Sequence, residues 1–198
     1  MISVAALYVE RGGPYFSMPD VEPWDLERDA RKYAGPHPVV AHPPCGPWGR
    51  LRHLYRGAEH DCAPAAVATV REWGGVLEHP ADSRLWPFCG MPDPGWLPDV
   101  YGGITIAVNQ VEWGHACAKP TWLYLVGYNP AKIAPPMPGR RPTHGIWYGD
   151  FKRSGHDGDR LLGASKEIRR RTPPAFAAWL VELARACRRD QVELAEAG

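Results

Sequence analysis

The chain predicts an α/β protein, a single domain over residues 1–198, built on a mostly parallel sheet of about five strands with one antiparallel pair. Three observations lead there. Apolar runs of strand length alternate with stretches of helical pattern, as in strands joined by crossover helices. Two of the runs, Pro38–His42 and Gly75–Pro80, stop at prolines, so each delivers the residues that follow to one edge of a sheet. Later, two further runs flank a turn at Lys119-Pro120 and read as the antiparallel pair.

Taken in order, Ile2–Val9 is the first buried strand, closed by the turn Arg11-Gly12-Gly13-Pro14. Residues 14–24 contain Pro14, Pro19 and Pro23 and read as a loop. Asp25–Tyr33 reads as a short helix with Asp25 as N-cap, stopped by Gly35-Pro36. Pro38–His42 is the second strand and runs straight into Pro43-Pro44-Cys45. Trp48–His60 is basic and aromatic without periodicity. Pro64–Trp73 is a helix, with proline in its first turn and Gly74-Gly75 as its stop. Gly75–Pro80 is the third strand; residues 81–103 are proline-rich and irregular. Ile104–Trp113 and Thr121–Gly127 complete the sheet. Residues 128–165 read as a long surface loop or small insert, a length that usually carries function. Pro173–Arg189 is the last helix, entered through Thr172, and the tail from Asp190 is expected to fray.

Composition excludes several classes. With 198 residues the chain can bury one sizeable core. No apolar run approaches the ~20 residues that span a bilayer, and the N-terminus lacks the basic start and cleavage site of a signal peptide. A cytoplasmic setting is expected, the host's if the gene is a phage's, with no membrane partner. Five cysteines without regular spacing do not form a disulfide framework. A net charge of +1 names no partner, but the basic residues cluster: Arg50, Arg52 and Arg56; Arg140-Arg141; Lys152-Arg153; Arg169-Arg170-Arg171. Such patches can hold phosphates on a near-neutral protein, although a charge cluster is as often a solvated face. Nine tryptophans suit a loop-rich chain with aromatic anchors.

Cys45 and Glu78 each stand at the carboxyl end of a predicted strand, where open α/β sheets bind ligands. A thiol in that position is a candidate nucleophile, and a carboxyl group beside it a candidate acid or base. The bland alternatives are a small buried cysteine after a rigid turn and a surface carboxylate. His42 and His79 adjoin these two residues and are expected to line the pocket, where a charged imidazole would lower the thiol pKa. Trp48 is close enough to Cys45 to be a base-stacking candidate. The pairs His60-Asp61-Cys62 and His115-Ala116-Cys117, with Cys89, lack any metal-site spacing, so no metal is expected. The zinc-deaminase signature fails at His42.

Several short motifs, in order, resemble the DNA cytosine-5 methyltransferases and their bacteriophage relatives. Pro43-Pro44-Cys45 resembles the catalytic proline–cysteine motif, and Glu78-His79-Pro80 the Glu-Asn-Val or Glu-Asn-Pro motif. Gln110 resembles the start of the Gln-x-Arg-x-Arg motif; Lys119-Pro120-Thr121-Trp122-Leu123 and Thr172-Pro173-Pro174-Ala175-Phe176-Ala177 are similar to segments of phage methylase-like proteins. The resemblance implies a reduced Rossmann-like methyltransferase fold. It implies that Cys45 adds to C6 of a pyrimidine flipped out of double-stranded DNA, with Glu78 at the N3 edge. A protonated Glu78 would donate to cytosine N3; an ionised one would accept from the N3–H of a uracil-type base. His42, Pro44, Trp48, His79, Gln110 and Lys119 would line the base pocket, and Arg50, Arg52 and Arg56 would take phosphates.

The chain departs from that pattern in three ways. The family has three strand–helix units before its cysteine; at ~30 residues for a βαβ unit, the 42 residues before Pro43 hold fewer. One strand and one short helix are expected there, the family's outer second and third strands being absent, and the Phe-x-Gly-x-Gly loop is reduced at most to Val9-Glu10-Arg11-Gly12-Gly13. The arginines after Gln110 are replaced by Val111, Glu112 and Trp113, and no target-recognition domain fits. A chain that keeps the base-attacking edge while losing the methyl-donor half suggests thymine hypermodification without S-adenosylmethionine. There an amine or amino acid replaces the leaving group of an activated 5-hydroxymethyl pyrimidine. The alternatives are an S-adenosylmethionine-dependent cytosine-5 methyltransferase, a non-catalytic nucleic-acid- or protein-binding remnant, and a zinc-stabilised interaction domain.

Overall fold

A computed structural model describes residues 1–128, 139–145 and 161–187. Most of the expected 128–165 loop, the Lys152-Arg153 cluster, the end of the last helix and the tail from Asp190 lie outside the described residues.

Six strands form the main sheet: β1 (Val4–Leu7), β2 (Val21–Trp24), β3 (Val39–Ala41), β4 (Gly75–Pro80), β5 (Ile104–Asn109) and β6 (Pro120–Val126). Their spatial order is β2-β1-β3-β4-β6-β5. The β2–β1, β1–β3 and β3–β4 pairs are parallel, and β6 runs against both β4 and β5. A short parallel pair, β7 (His144–Gly145) and β8 (Leu162–Gly163), stands apart. The helices are α1 (Cys62–Trp73), α2 (Leu85–Phe88), α3 (Lys166–Arg170) and α4 (Pro174–Ala186).

The α/β class and the mostly parallel sheet agree with the sequence. β1, β3 and β4 are covered on both faces, which is why they read as unbroken apolar runs. Side chains alternate between the faces. Val4, Ala6, Val40, Val76, Leu123 and Leu125 pack under α4 with Phe176 and Leu180. Ala5, Leu7, Val39, Ala41, Leu77 and Tyr124 pack under α1 with Ala66, Val67 and Val70. The layers are therefore helix, sheet, helix, and residue parity decides the layer each strand residue faces. The join of α1 to β4 needs glycine: Gly75 has φ +123°, and a Cβ there would lie 2.0 Å from the Val39 carbonyl oxygen.

The expected strand Ile104–Trp113 ends at Asn109, and Gln110–Trp113 forms a 3-10 turn instead. Two further expectations change. The sheet has six strands rather than about five, because β2 occupies part of the expected proline loop. β2 is an edge strand paired to β1 alone, where Pro23, opposite Ala6, removes no N–H that a further strand would need. An outer strand is thus present. The Asp25–Tyr33 helix is not formed. Asp25 Oδ1 does accept from the N–H of Glu27 and Arg28 (3.1 and 3.2 Å). Asp29 then takes a left-handed conformation, φ +54°, and one 3-10 turn, Ala30–Lys32, follows.

Candidate active site

The strand directions bring one set of ends together. β3, β4 and β5 deliver their carboxyl ends to the same edge, and β6, being reversed, delivers its beginning. His42–Cys45, Glu78–His79, Asn109–Gln110 and Lys119–Thr121 therefore converge from four strands.

The Cys45 turn follows from local chemistry. The His42 N–H donates to the Leu7 carbonyl (3.0 Å), extending the β3–β1 ladder by one bond. Pro43 and Pro44 have no N–H to continue it. The Cys45 carbonyl accepts from the N–H of Trp48 and Gly49 (3.1 and 2.8 Å), closing a tight turn that leaves Cys45 exposed. Tyr55 lies on this turn, so close that a Cβ at Gly46 would come within 2.5 Å of its ring.

Behind Cys45 runs a chain of buried polar groups. Glu78, 8% exposed, is held at both oxygens. Its Oε2 accepts from His42 Nδ1 (3.0 Å) and its Oε1 from Gln110 Nε2 (2.8 Å). Gln110 Nε2 also donates to Thr121 Oγ1 (3.0 Å), whose hydroxyl donates to the Lys119 carbonyl (3.0 Å). On the other side, His42 Nε2 meets the Tyr15 hydroxyl at 2.6 Å. Parity accounts for the grouping: Glu78 lies on the same face as Val76, and Thr121 on the same face as Leu123, the α4 face to which Tyr15 also belongs.

The charges of this site oppose one another. Burial pushes the Glu78 carboxyl up, but the Lys119 ammonium and the His42 hydrogen bond outweigh it and hold the carboxyl at about 2. The charge of His79 would act the same way, yet burial holds His79 at about 4, so at neutral pH it carries none. The Cys45 residue is exposed, but enough protein surrounds the thiol that desolvation pushes its pKa up; the Glu78 charge adds to this, while Lys119 and Arg170 work against it. Tyr15 is pushed well above the ordinary phenol value, by burial and then by Glu78.

The structure thus brings together Cys45, His42, Glu78, Gln110 and Lys119. It puts other named residues elsewhere. His79 points to the α1 face, where its ring meets Trp86 edge-on at 6.4 Å and neither nitrogen finds a hydrogen-bond partner among the described residues. Trp48 packs on Phe88, centroids 4.7 Å apart, in the same α1-face cluster. Arg50 and Arg52 line a cavity of about 440 Å³ with Arg84, Trp86 and Trp122, which includes neither Cys45 nor Glu78. Arg56 donates to the carbonyls of His53 and Tyr55 (both 3.1 Å). Pro44, half-buried, shapes the turn. Among the described residues, no group of three or more His, Cys, Asp or Glu side chains gathers as a metal site, and no helix is long and apolar enough to cross a membrane.

Three site residues were not read from the sequence: Tyr15, Thr121 and Arg170. Tyr15 carries one usable signal, since it directly follows the first strand's turn and so belongs to the edge where such sheets bind ligands. Arg170 stood in a basic cluster, with nothing to aim it at Cys45.

At the end of β2, where a dinucleotide-binding sheet offers an acid to a ribose, Asp25 is buried and its Oδ1 is taken up by two backbone N–H groups. Neither a protein-family model nor a curated protein sequence matches the chain.

Proposed function

We propose that this chain is a transferase acting on DNA pyrimidines through covalent catalysis by Cys45, at an edge derived from the methyltransferase-like fold that its motifs resemble. The observation that carries the reading is the pairing at that edge: an exposed thiol on the turn after β3 and a nearly buried, ionised carboxylate on the adjacent β4. Addition at C6 of a pyrimidine requires a soft nucleophile below the ring and a polar group at the N3 edge. The sheet order supports the fold reading as well. β1 and β3 adjoin, as the first and fourth strands of that family do, and β2 lies outside β1 as its second does.

The reaction needs no methyl donor. The Cys45 thiol loses its proton to solvent and the thiolate forms a bond to C6, placing an electron pair on the C5–C4–O4 enolate. Those electrons expel the phosphate or pyrophosphate ester from the 5-hydroxymethyl carbon and leave an exocyclic methylene. An amine, such as an amino acid, adds to that carbon and loses a proton. The returning electron pair at C5 re-forms the C5–C6 double bond and releases the Cys45 thiolate. Lys119 and Arg170 sit where their charge eases formation of the thiolate. The target base leaves the duplex stack to reach them.

The test uses duplex oligonucleotides that carry a 5-fluoropyrimidine or an activated 5-hydroxymethyl base, without amine, denatured and read by intact mass. A covalent adduct absent from Cys45→Ala is expected. No adduct with any of these bases overturns the proposal.

A further inference from the structure

Within this reading, in which a flipped pyrimidine docks its N3 edge on Glu78, we infer that the site selects a base with a proton on N3, of the uracil or thymine type, against cytosine. The argument rests on hydrogen-bond accounting at one carboxylate. His42 Nδ1 and Gln110 Nε2 each donate, one to each oxygen. Hydrogen bonds donated to both oxygens favour the charged form of the carboxyl group, which can only accept.

Both donors are themselves locked. Gln110 is 1% exposed, and its Nε2 makes a second bond to Thr121, whose own hydroxyl is given to the Lys119 carbonyl, so the amide keeps Nε2 towards Glu78. A carboxylate can only accept, so His42 Nδ1 bears the proton; in the neutral ring Nε2 is then left to accept the Tyr15 O–H at 2.6 Å. Tyr15 is 2% exposed and has no room to turn away. It is a positioning residue, setting the tautomer of His42 and through it the state of Glu78.

A carboxylate has about four lone-pair sites. Two are used within the protein, and the remaining ones can serve only a donor from outside. The N3–H of a uracil-type ring is such a donor. Cytosine N3 is an acceptor, so cytosine would face Glu78 lone pair to lone pair or would have to take up a proton. The titratable groups around Glu78 are Lys119 before β6, His42 and Cys45 after β3 and Tyr15 after β1; His79, its neighbour on β4, points to the other face. The Lys119 charge favours the ionised carboxylate.

The experiment has two arms. In the first, adduct formation is compared between duplexes carrying activated 5-hydroxymethyldeoxyuridine and its deoxycytidine counterpart. In the second, Cys45→Ala protein is titrated by fluorescence anisotropy with duplexes carrying the unactivated bases. We expect the uracil-type base to be favoured in both arms, on the order of tenfold or more, since the rejected base leaves a buried acceptor unmatched. Glu78→Gln, whose amide can donate as well as accept, should bring the ratio close to one while DNA binding persists. Tyr15→Phe should shrink the ratio, and Tyr15→Leu should do no more, with thermal unfolding confirming that both fold. Equal or cytosine-favoured binding overturns the inference. A binding preference without any adduct overturns covalent catalysis by Cys45 and leaves the selection standing. Adducts at equal rates with both bases do the reverse, and no binding of either duplex overturns both.

Discussion

His42 and Glu78, separated by 36 positions, meet through a 3.0 Å hydrogen bond at the carboxyl ends of two adjacent parallel strands. The bond exists because His42 directly follows β3 and Glu78 directly follows Leu77, the last β4 residue paired with β3, so both side chains reach the same edge. It joins the Cys45 turn to the Glu78 carboxylate, so a change at either residue is felt at the thiol.

Reactivity of Cys45 should depend on the charge of Glu78. That charge helps to push the thiol pKa up, so Glu78→Gln should lower it and raise the thiolate fraction at pH 7–8. Alkylation by iodoacetamide, followed by mass against pH, should speed up about threefold to tenfold, tenfold being one pKa unit. An unchanged pH profile would count against coupling between the two groups.

Acid should destabilise the protein in two windows. His79 has its pKa lowered from 6.5 to about 4, so the neutral form is the one the folded state keeps. Its contribution is present above 6.5 and is lost as pH falls towards 4. Glu78, lowered from 4.5 to about 2, contributes above 4.5 and loses that contribution as pH falls towards 2. Thermal unfolding of His79→Leu, which suits the surrounding Trp86 and Trp122, should show a flatter dependence across the upper window.

Arg71 should matter for stability far from the chemistry. It donates to Tyr124 Oη (3.1 Å), to the Cys89 carbonyl (2.8 Å) and to Asp99 (3.2 Å), while Tyr124 donates to Asp99 (2.6 Å). These bonds fasten the irregular 81–103 segment to α1 and β6. Arg71→Met should cost about 1–3 kcal/mol in urea unfolding, because it strands the buried partners. Adduct formation per folded molecule should be unchanged.

Substitution of Gly75 should be the most damaging backbone change. Alanine there meets both a positive φ and the Val39 carbonyl, so Gly75→Ala should lose ~3 kcal/mol or more or fail to accumulate as soluble protein. Near-wild-type unfolding would show that the β3–β4 approach is looser than described.

S-adenosylmethionine should have no effect. In the donor-free reaction proposed above, titration calorimetry should show no binding and adduct yields should be the same with and without it; Asp25 Oδ1, at the end of β2, already holds its own turn. Tight binding would restore the methyl-transfer alternative.

What could be read in advance divides by physical cause. β1, β3, β4, α1 and α4 were legible because their apolar runs and their proline and glycine stops are local properties of the chain. β2 was not, because Pro19 and Pro23 mark loops in most settings and only an edge position lets Pro23 sit in a strand. The Asp25–Tyr33 helix failed because the N-cap acted as expected while Asp29 left helical space four residues later.

By itself the sequence determined the α/β class and the placing of Cys45 and Glu78 at strand ends, since a strand that stops at proline or turns into one commits the next residues to an edge. Only the tertiary structure decided which neighbours those residues have. The reversal of β6 between β4 and β5 brings Thr121 and Lys119 to Glu78, and parity within each strand sends His79 to one face and Glu78 to the other. Tyr15 reaches His42 only because β1 and β3 lie side by side. Such contacts depend on sheet order and register, which follow from packing all the strands at once and are carried by no single segment.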